Sequence, residues 1–140
     1  MGEDKIVPEP QDGRQRIPPL SRFEEQAQFT RAIRVGDRII VSGNIGSEAD
    51  GSISSDARRQ AERCFEQILE YIGQLGGQSG DVVRVRMFVT DIADAQAVTA
   101  AFTKYVGHAR PTGTLVAVAA LAAPVFKVEI EAEAVVGSGQ

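Results

Sequence analysis

Two neighbouring runs near the C-terminus constrain this chain most. Lys127 to Val136 alternates almost without fault: Lys127, Glu129, Glu131 and Glu133 point one way, Val128, Ile130, Ala132 and Ala134 the other. A period of two is the mark of a strand with one face in a core and the other open. The preceding run, Thr114 to Leu121, is apolar on both faces. A strand of that kind has to be covered from both sides. Ala122-Ala123-Pro124 reads as a short turn between the two runs. The cover comes either from the rest of the chain or from a neighbouring copy.

The 140 residues are enough for one domain with a sizeable core. Hydrophobic content of 43% and charged content of 24% are ordinary for a soluble globular chain. No apolar run is long enough to span a bilayer, and no signal-peptide core opens the sequence. A single cysteine excludes an internal disulfide and argues against a cysteine-built metal site. The expected compartment is the cytoplasm. A net charge of −4 argues against a nucleic-acid partner, which would favour a basic face.

Met1 to about Ser21 carries four of the six prolines and no periodicity. It is expected to be a proline-rich arm, with residues 22–140 forming the domain. Gln28–Gly36 reads as a strand, with Phe29, Arg31 and Ile33 on one face, and Asp37–Ser42 as its hairpin partner across Val35-Gly36-Asp37-Arg38. Gly43 and Gly46 then open a loop. Ser54 or Ser55 is the expected cap of a helix with Asp56 in its first turn. The stripe Ala61, Cys64, Phe65, Ile68, Leu69, Ile72, Leu75 follows helical spacing, and Gly76-Gly77 ends it. Val82–Thr90 is a third strand, with Val83, Val85, Met87 and Val89 opposite Arg84, Arg86, Phe88 and Thr90. Asp94–Val106 is a second helix, buried through Val98, Ala101, Phe102 and Tyr105 and capped by Asp91 or Asp94.

The order β-β-α-β-α-β-β predicts an α+β fold, a single sheet with both helices on one face. The other face is then bare, and the two-sided apolar run needs a cover. A symmetric homo-oligomer supplies it; the alternative is that the arm folds across that face.

No P-loop, dinucleotide fingerprint, zinc-protease motif or nucleophile elbow is present. Cys64 lies in an apolar stripe and reads as a buried structural thiol. His108 is the only histidine, so a histidine-based triad would have to use it; a solvated loop residue is the plainer reading. Glu129, Glu131 and Glu133 share a strand face. Glu131 and Glu133 read as surface carboxylates balanced by Arg84 and Arg86 on a neighbouring strand, and Glu129 stays open as a site residue. No histidine or aspartate is spaced to make this row a metal site. Arg31, Arg34 and Arg38 do not share a face, so they make no nucleic-acid patch.

Several of these pieces together resemble the Rid family, also called YjgF: the Val35-Gly36-Asp37 turn followed by Ile40-Val41-Ser42-Gly43, the first helix with its Gly76-Gly77 exit, Met87-Phe88-Val89-Thr90-Asp91, the RPxxT segment Arg110–Thr114, and Val128-Glu129-Ile130-Glu131-Ala132. The resemblance covers about Phe29 to Val136. It implies a chorismate-mutase-like homotrimer with small-molecule clefts between subunits and no metal or organic cofactor. It also implies hydrolysis of enamines and imines such as 2-aminoacrylate to a keto acid and ammonia. In deaminating members an arginine clamps the substrate carboxylate, a task suited to a bidentate guanidinium. The family segment looks like RPART; here Gly113 stands at the clamp position, with Thr114 after it. Phe29 replaces the family's site tyrosine. The site glutamate is kept as Glu129, which in the family helps place a water.

The resemblance therefore implies an imine- or enamine-directed hydrolase with Glu129 as base or water positioner. Phe29, Gly113, Thr114 and Phe88 are candidate substrate-binding residues, and Arg31 and Arg110 are candidate replacements for the missing cation. The substrate would be bulkier or less acidic than a small 2-imino acid. The alternative is a non-catalytic trimer that binds a metabolite or a partner protein in the same clefts. The ribonuclease activity once attached to the family has no acid–base pair here, since His108 stands alone.

Overall fold

The computed structural model describes residues 12–139; the first eleven residues of the expected arm lie outside the described part. The elements run β1 (Gln15–Ile17), α1 (Arg22–Ala27), β2 (Ala32–Val35), β3 (Arg38–Ile45), α2 (Ala57–Gln74), β4 (Val82–Val89), α3 (Ala95–Val106), β5 (Thr112–Ala117) and β6 (Val128–Val135). One six-stranded sheet has the order β1-β2-β3-β6-β4-β5. All neighbours are antiparallel except β4 and β5, which are parallel and joined through α3. Parallel neighbours need such a crossover, and α3 is it. The expected single sheet with α2 and α3 on one face is the observed architecture.

The core lies between that face and α2. Ala61, Cys64, Phe65, Ile68 and Ile72 of the helix are fully buried against Ile39, Val85, Val89, Val128 and Ile130 of the sheet. Each large apolar side chain removed from water contributes about 1.5–3 kcal/mol, so this one seam orders the centre of the sheet. The helix begins at Asp56, whose carboxylate accepts from the Arg58 N–H at 3.3 Å; Ser54 instead accepts from the Asp56 N–H. The cap is thus two residues later than Ser54, because Asp56 holds the extended backbone of an N-cap. Close packing of α2 on β3 needs Gly46: a Cβ there would lie 2.5 Å from Gln60 Cα.

Three local expectations change. The first strand begins at Ala32, not Gln28. Ser21 and Glu24 cap a short helix α1, with Ser21 Oγ accepting from the Glu24 N–H and Glu24 Oε1 from the Leu20 N–H. The exit of that helix takes up Gln28, in the left-handed region at φ 67°, and Phe29, whose N–H donates to Glu24 O. Phe29, Arg31 and Ile33 therefore do not form one strand face. Second, β5 and β6 are not joined by a short turn. They flank β4 on opposite sides, and residues 118–127 carry the chain around its end. Val118 N–H donates to Val89 O, and Thr90 N–H to Lys127 O. Third, an irregularity in the β4–β6 register between Val82 and Arg84 leaves Val82 buried and Val83 exposed. Val83 is therefore off the core face that Val85, Met87 and Val89 share.

Within the segment expected as an arm, β1 pairs with β2 and extends the sheet sideways; it does not lie across the bare face. The apolar run of β5 is likewise uncovered, with Val116 41% exposed.

Gln60 ties the 118–127 segment to α2. Its side chain is fully buried, donates to Ser54 O and Val125 O, and accepts from the Lys127 N–H at 2.9 Å. Gln60→Leu leaves three backbone groups unpaired and is expected to cost about 2–4 kcal/mol. A lower urea midpoint at unchanged slope is the readout.

Candidate functional site

The open face of β6 carries a ladder. Glu133 lies opposite Arg84, Glu131 opposite Arg86, and Glu129 opposite Phe88. Arg86 Nη1 meets Glu131 Oε1 at 2.9 Å. Glu133 is held by Arg38 Nη2 at 2.9 Å, with Arg84 Nε at 3.8 Å. At the third rung the alternation continues but the cation does not. Among the described residues no hydrogen bond or ion pair reaches the Glu129 carboxylate.

The surroundings of Glu129 explain its ionisation. Burial holds its carboxyl above the ordinary glutamate value of 4.5; the nearby Glu131 pushes the same way, and Arg31 acts against them. Across β3 the rung ends at Ile45, and across β4 it continues through Phe88 to Val116 of β5. A half-buried carboxylate thus stands in an apolar row. The carboxylate lies over Gly43, where a Cβ would overlap it. Gly43 sits in the register irregularity of β3 between Val41 and Asn44, a place where a bulge re-aims side chains.

Arg31 braces this bulge. It is 6% exposed, donates from Nη2 to Gly43 O at 2.6 Å, and pairs through Nη1 with Glu24 Oε2 of α1. Its Nε–H is buried without a partner. Both ends of its guanidinium are therefore engaged inside the chain.

The other candidates scatter. Gly113 pairs with Val85 on the helix-covered side of β5; a Cβ there would touch the Phe102 ring at 3.8 Å and Met87 at 3.9 Å. Thr114 pairs with Arg86 and is exposed. Arg110 is exposed ahead of β5, in the left-handed region at φ 50°. Phe29 is 52% exposed and meets Phe23 edge to face at 5.8 Å. Within one chain, Glu129 and Phe88 are brought together, Arg31 lies behind them, and Gly113 is on the opposite face of the sheet. Sequence reasoning missed Gly43, Ile45 and Val116. Only Gly43, a glycine at the end of an alternating run, carried a local signal.

His108 bonds Ser79 through Nε2 at 3.0 Å on the surface. It is near the start of β4, whereas Glu129 faces its end, roughly 20 Å along the strand. Cys64 is fully buried, donates to Asn44 O, and has its thiol pushed up by burial. Among the described residues, no cluster of three or more metal-ligating side chains occurs, and no helix is long and apolar enough to cross a membrane.

A groove of about 310 Å³ runs along the bare face beside the ladder, lined by Thr30, Ile33, Ile40, Arg84, Arg86 and Glu131 among others.

Residues 20–136 match the family model described as Endoribonuclease L-PSP. The chain is 30% identical over 106 residues to a RutC family protein of Pyrococcus abyssi, covering 74% of this chain and 83% of that one. It is 30% identical over 111 residues to a 2-iminobutanoate/2-iminopropanoate deaminase of Escherichia coli strain K12, covering 76% and 86%. A crystal structure of a YjgF/YER057c/UK114 family member from Mycobacterium tuberculosis superposes with a TM-score of 0.81 at 35% identity, covering 89% of this chain and all of that one.

Two outcomes follow for Glu129. In a carboxyl-resolved NMR titration its midpoint is expected above 4.5, and Phe88→Arg, which completes the ladder, is expected to bring it down. The folded chain holds this proton more tightly than the unfolded chain, so ionisation costs stability. The cost is absent below the unfolded value and complete above the folded one. Glu129→Gln should therefore melt higher than wild type at pH 7, and the gap should close as the pH falls through the raised midpoint.

Proposed function

The chain belongs to the endoribonuclease L-PSP family, whose members here carry the names YjgF and RutC, and from that premise we propose that it is a cytoplasmic homotrimer hydrolysing an imine, an enamine or a related carbonyl intermediate. The observation that carries this reading is the third rung: Glu129 faces Phe88 where Glu131 and Glu133 face arginines. A carboxylate kept half-buried and unpaired costs stability, and such groups are concentrated at functional sites. With its pKa raised, it is a better base toward water than an exposed glutamate, and once protonated it can return the proton to a leaving nitrogen.

The reaction needs little else. Water adds to the carbon of the N-protonated C=N group while Glu129 takes one of its protons, giving a neutral carbinolamine. Glu129 returns that proton to nitrogen, which leaves as ammonia, and the carboxylate takes the remaining hydroxyl proton, so that the water oxygen is left as the carbonyl. The deaminase relatives support this class of chemistry. The trimer is supported by the uncovered apolar strand β5 and by the bare ladder face. A site that draws on both Glu129 and the Gly113 position has to be completed by a second subunit, since in one chain they lie on opposite faces.

A second reading is a non-catalytic trimer that binds a metabolite or partner in the same cleft. It is favoured by two features, glycine at the clamp position and phenylalanine at residue 29.

Light scattering is expected to give three times the chain mass. Imines generated in situ by amine and amino-acid oxidases provide the activity test. Wild type is expected to accelerate hydrolysis of at least one, and Glu129→Gln to lose about 10²–10⁴-fold of that rate. If no imine is turned over, or Glu129→Gln is as active as wild type, the hydrolytic reading fails. Loss of a cellular phenotype with Gly113→Trp but not with Glu129→Gln would then favour the binding reading.

A further inference from the structure

Resting on the hydrolytic reading, we infer that the substrate is an imine or enamine of an aldehyde or ketone with an apolar substituent and no carboxylate beside the reacting carbon. Charge around the ladder sets this class. Of the guanidiniums around the ladder, Arg86 is bound to Glu131, and Arg38 and Arg84 to Glu133. Arg31 is buried and holds Glu24 and Gly43 O. Residue 113 contributes no side chain. Arg110 stands ahead of β5, six residues before the Val116 of the Glu129 rung and so roughly 20 Å from it within one chain. A substrate carboxylate would enter beside Glu129 and Glu131 with none of these guanidiniums of its own chain free beside it, and two carboxylates sharing a poorly hydrated site disfavour each other's ionisation. A simple imine has the opposite fit. Protonated on nitrogen it is a net cation, attracted to an ionised Glu129, whereas a 2-imino acid in that form carries no net charge.

Shape points the same way. The rung that holds Glu129 is otherwise Ile45, Phe88 and Val116, drawn from three strands. Such a row offers apolar contact on both sides of the carboxylate and no donor for an anion. The residues that set this specificity are Phe88, where the ladder pattern would place an arginine, and Gly113 of the neighbouring subunit, where an added Cβ would meet Phe102 and Met87 only at ordinary contact distance. The chemistry balances with water alone: R₂C=NH and H₂O give R₂C=O and NH₃. A reaction supplying the substrate would be the oxidation of an amine without an α-carboxyl group.

The test uses two imines that differ only in the carboxylate. One is generated from 2-phenylethylamine by an amine oxidase, the other from L-phenylalanine by an amino-acid oxidase, each followed by competition with semicarbazide. Wild type is expected to hydrolyse the first with at least about tenfold higher kcat/KM. Gly113→Arg should shift the ratio toward the second by roughly 10–100-fold, the effect of one or two charge-assisted hydrogen bonds. Equal or better hydrolysis of the carboxylated imine by wild type overturns the charge class and leaves the hydrolytic reading standing. Failure of wild type and Gly113→Arg on both imines overturns the hydrolytic reading, and the charge class with it.

Discussion

The pairing of β6 between β3 and β4 is the constraint on which the rest of this structure depends. Strand β6 alternates strictly, with Val128, Ile130, Ala132 and Ala134 buried and glutamates between them. A slip of one residue would drive three carboxylates into the core and bring four apolar side chains out. The register is therefore fixed by burial, and it fixes in turn which residue of β4 each glutamate meets. The ion pairs of the first two rungs are half-exposed and contribute little stability individually. Their value is as a reference: they show what a balanced rung on this face looks like, and hence what the Glu129 rung lacks.

Elements whose signal is local and strong were readable from the residues. The α2 stripe follows helical spacing, and every member but Leu69 is buried. The balance of Glu131 and Glu133 by Arg84 and Arg86 followed from two alternating strands. Helix α1 escaped because it buries no residue and so has no periodicity, although Ser21 and Glu24 stand at capping-box spacing. The placement of β5 escaped for a different reason. Whether a strand lies beside its predecessor or beyond the next is decided by the crossover helix, not by anything in Thr112–Ala117. That misplacement made a turn out of a segment that Gln60 holds in place by two hydrogen bonds, to Val125 O and from the Lys127 N–H. For the site, Glu129 and Phe88 were named from the residues, but Ile45 and Val116 were not, because they join that rung only through cross-strand register.

The support beneath Glu129 is polar, and it is built from the least regular part of the sheet. The bulge at Ser42-Gly43 gives the carboxylate its place, and glycine is required there because any Cβ would occupy it. Arg31 fastens the bulge through the Gly43 carbonyl and fastens α1 through Glu24. Its unpartnered Nε–H is a cost that a purely structural brace would not need, since an unsatisfied buried donor is destabilising by about 1–3 kcal/mol. The region around the third rung thus holds two unfavourable features close together, a poorly hydrated carboxylate and an unpaired guanidinium N–H. Strain of this kind survives where something other than stability maintains it.

The remaining open surface bears on the same question. An edge strand that is apolar and unprotected is a liability in a lone chain, and β5 is such a strand. It adjoins a bare sheet face with a groove and a carboxylate, and it carries Gly113 on its other side. Under the proposed reading these are not separate oddities. A neighbouring subunit that covers β5 and the ladder face would finish the core, exclude water from the Glu129 row and bring the Gly113 position of one chain toward the glutamate of another. The more completely that cover dries the row, the higher the cost of placing a second anion in it. Assembly and the absence of a clamping arginine then act together, selecting for a substrate that brings no negative charge of its own.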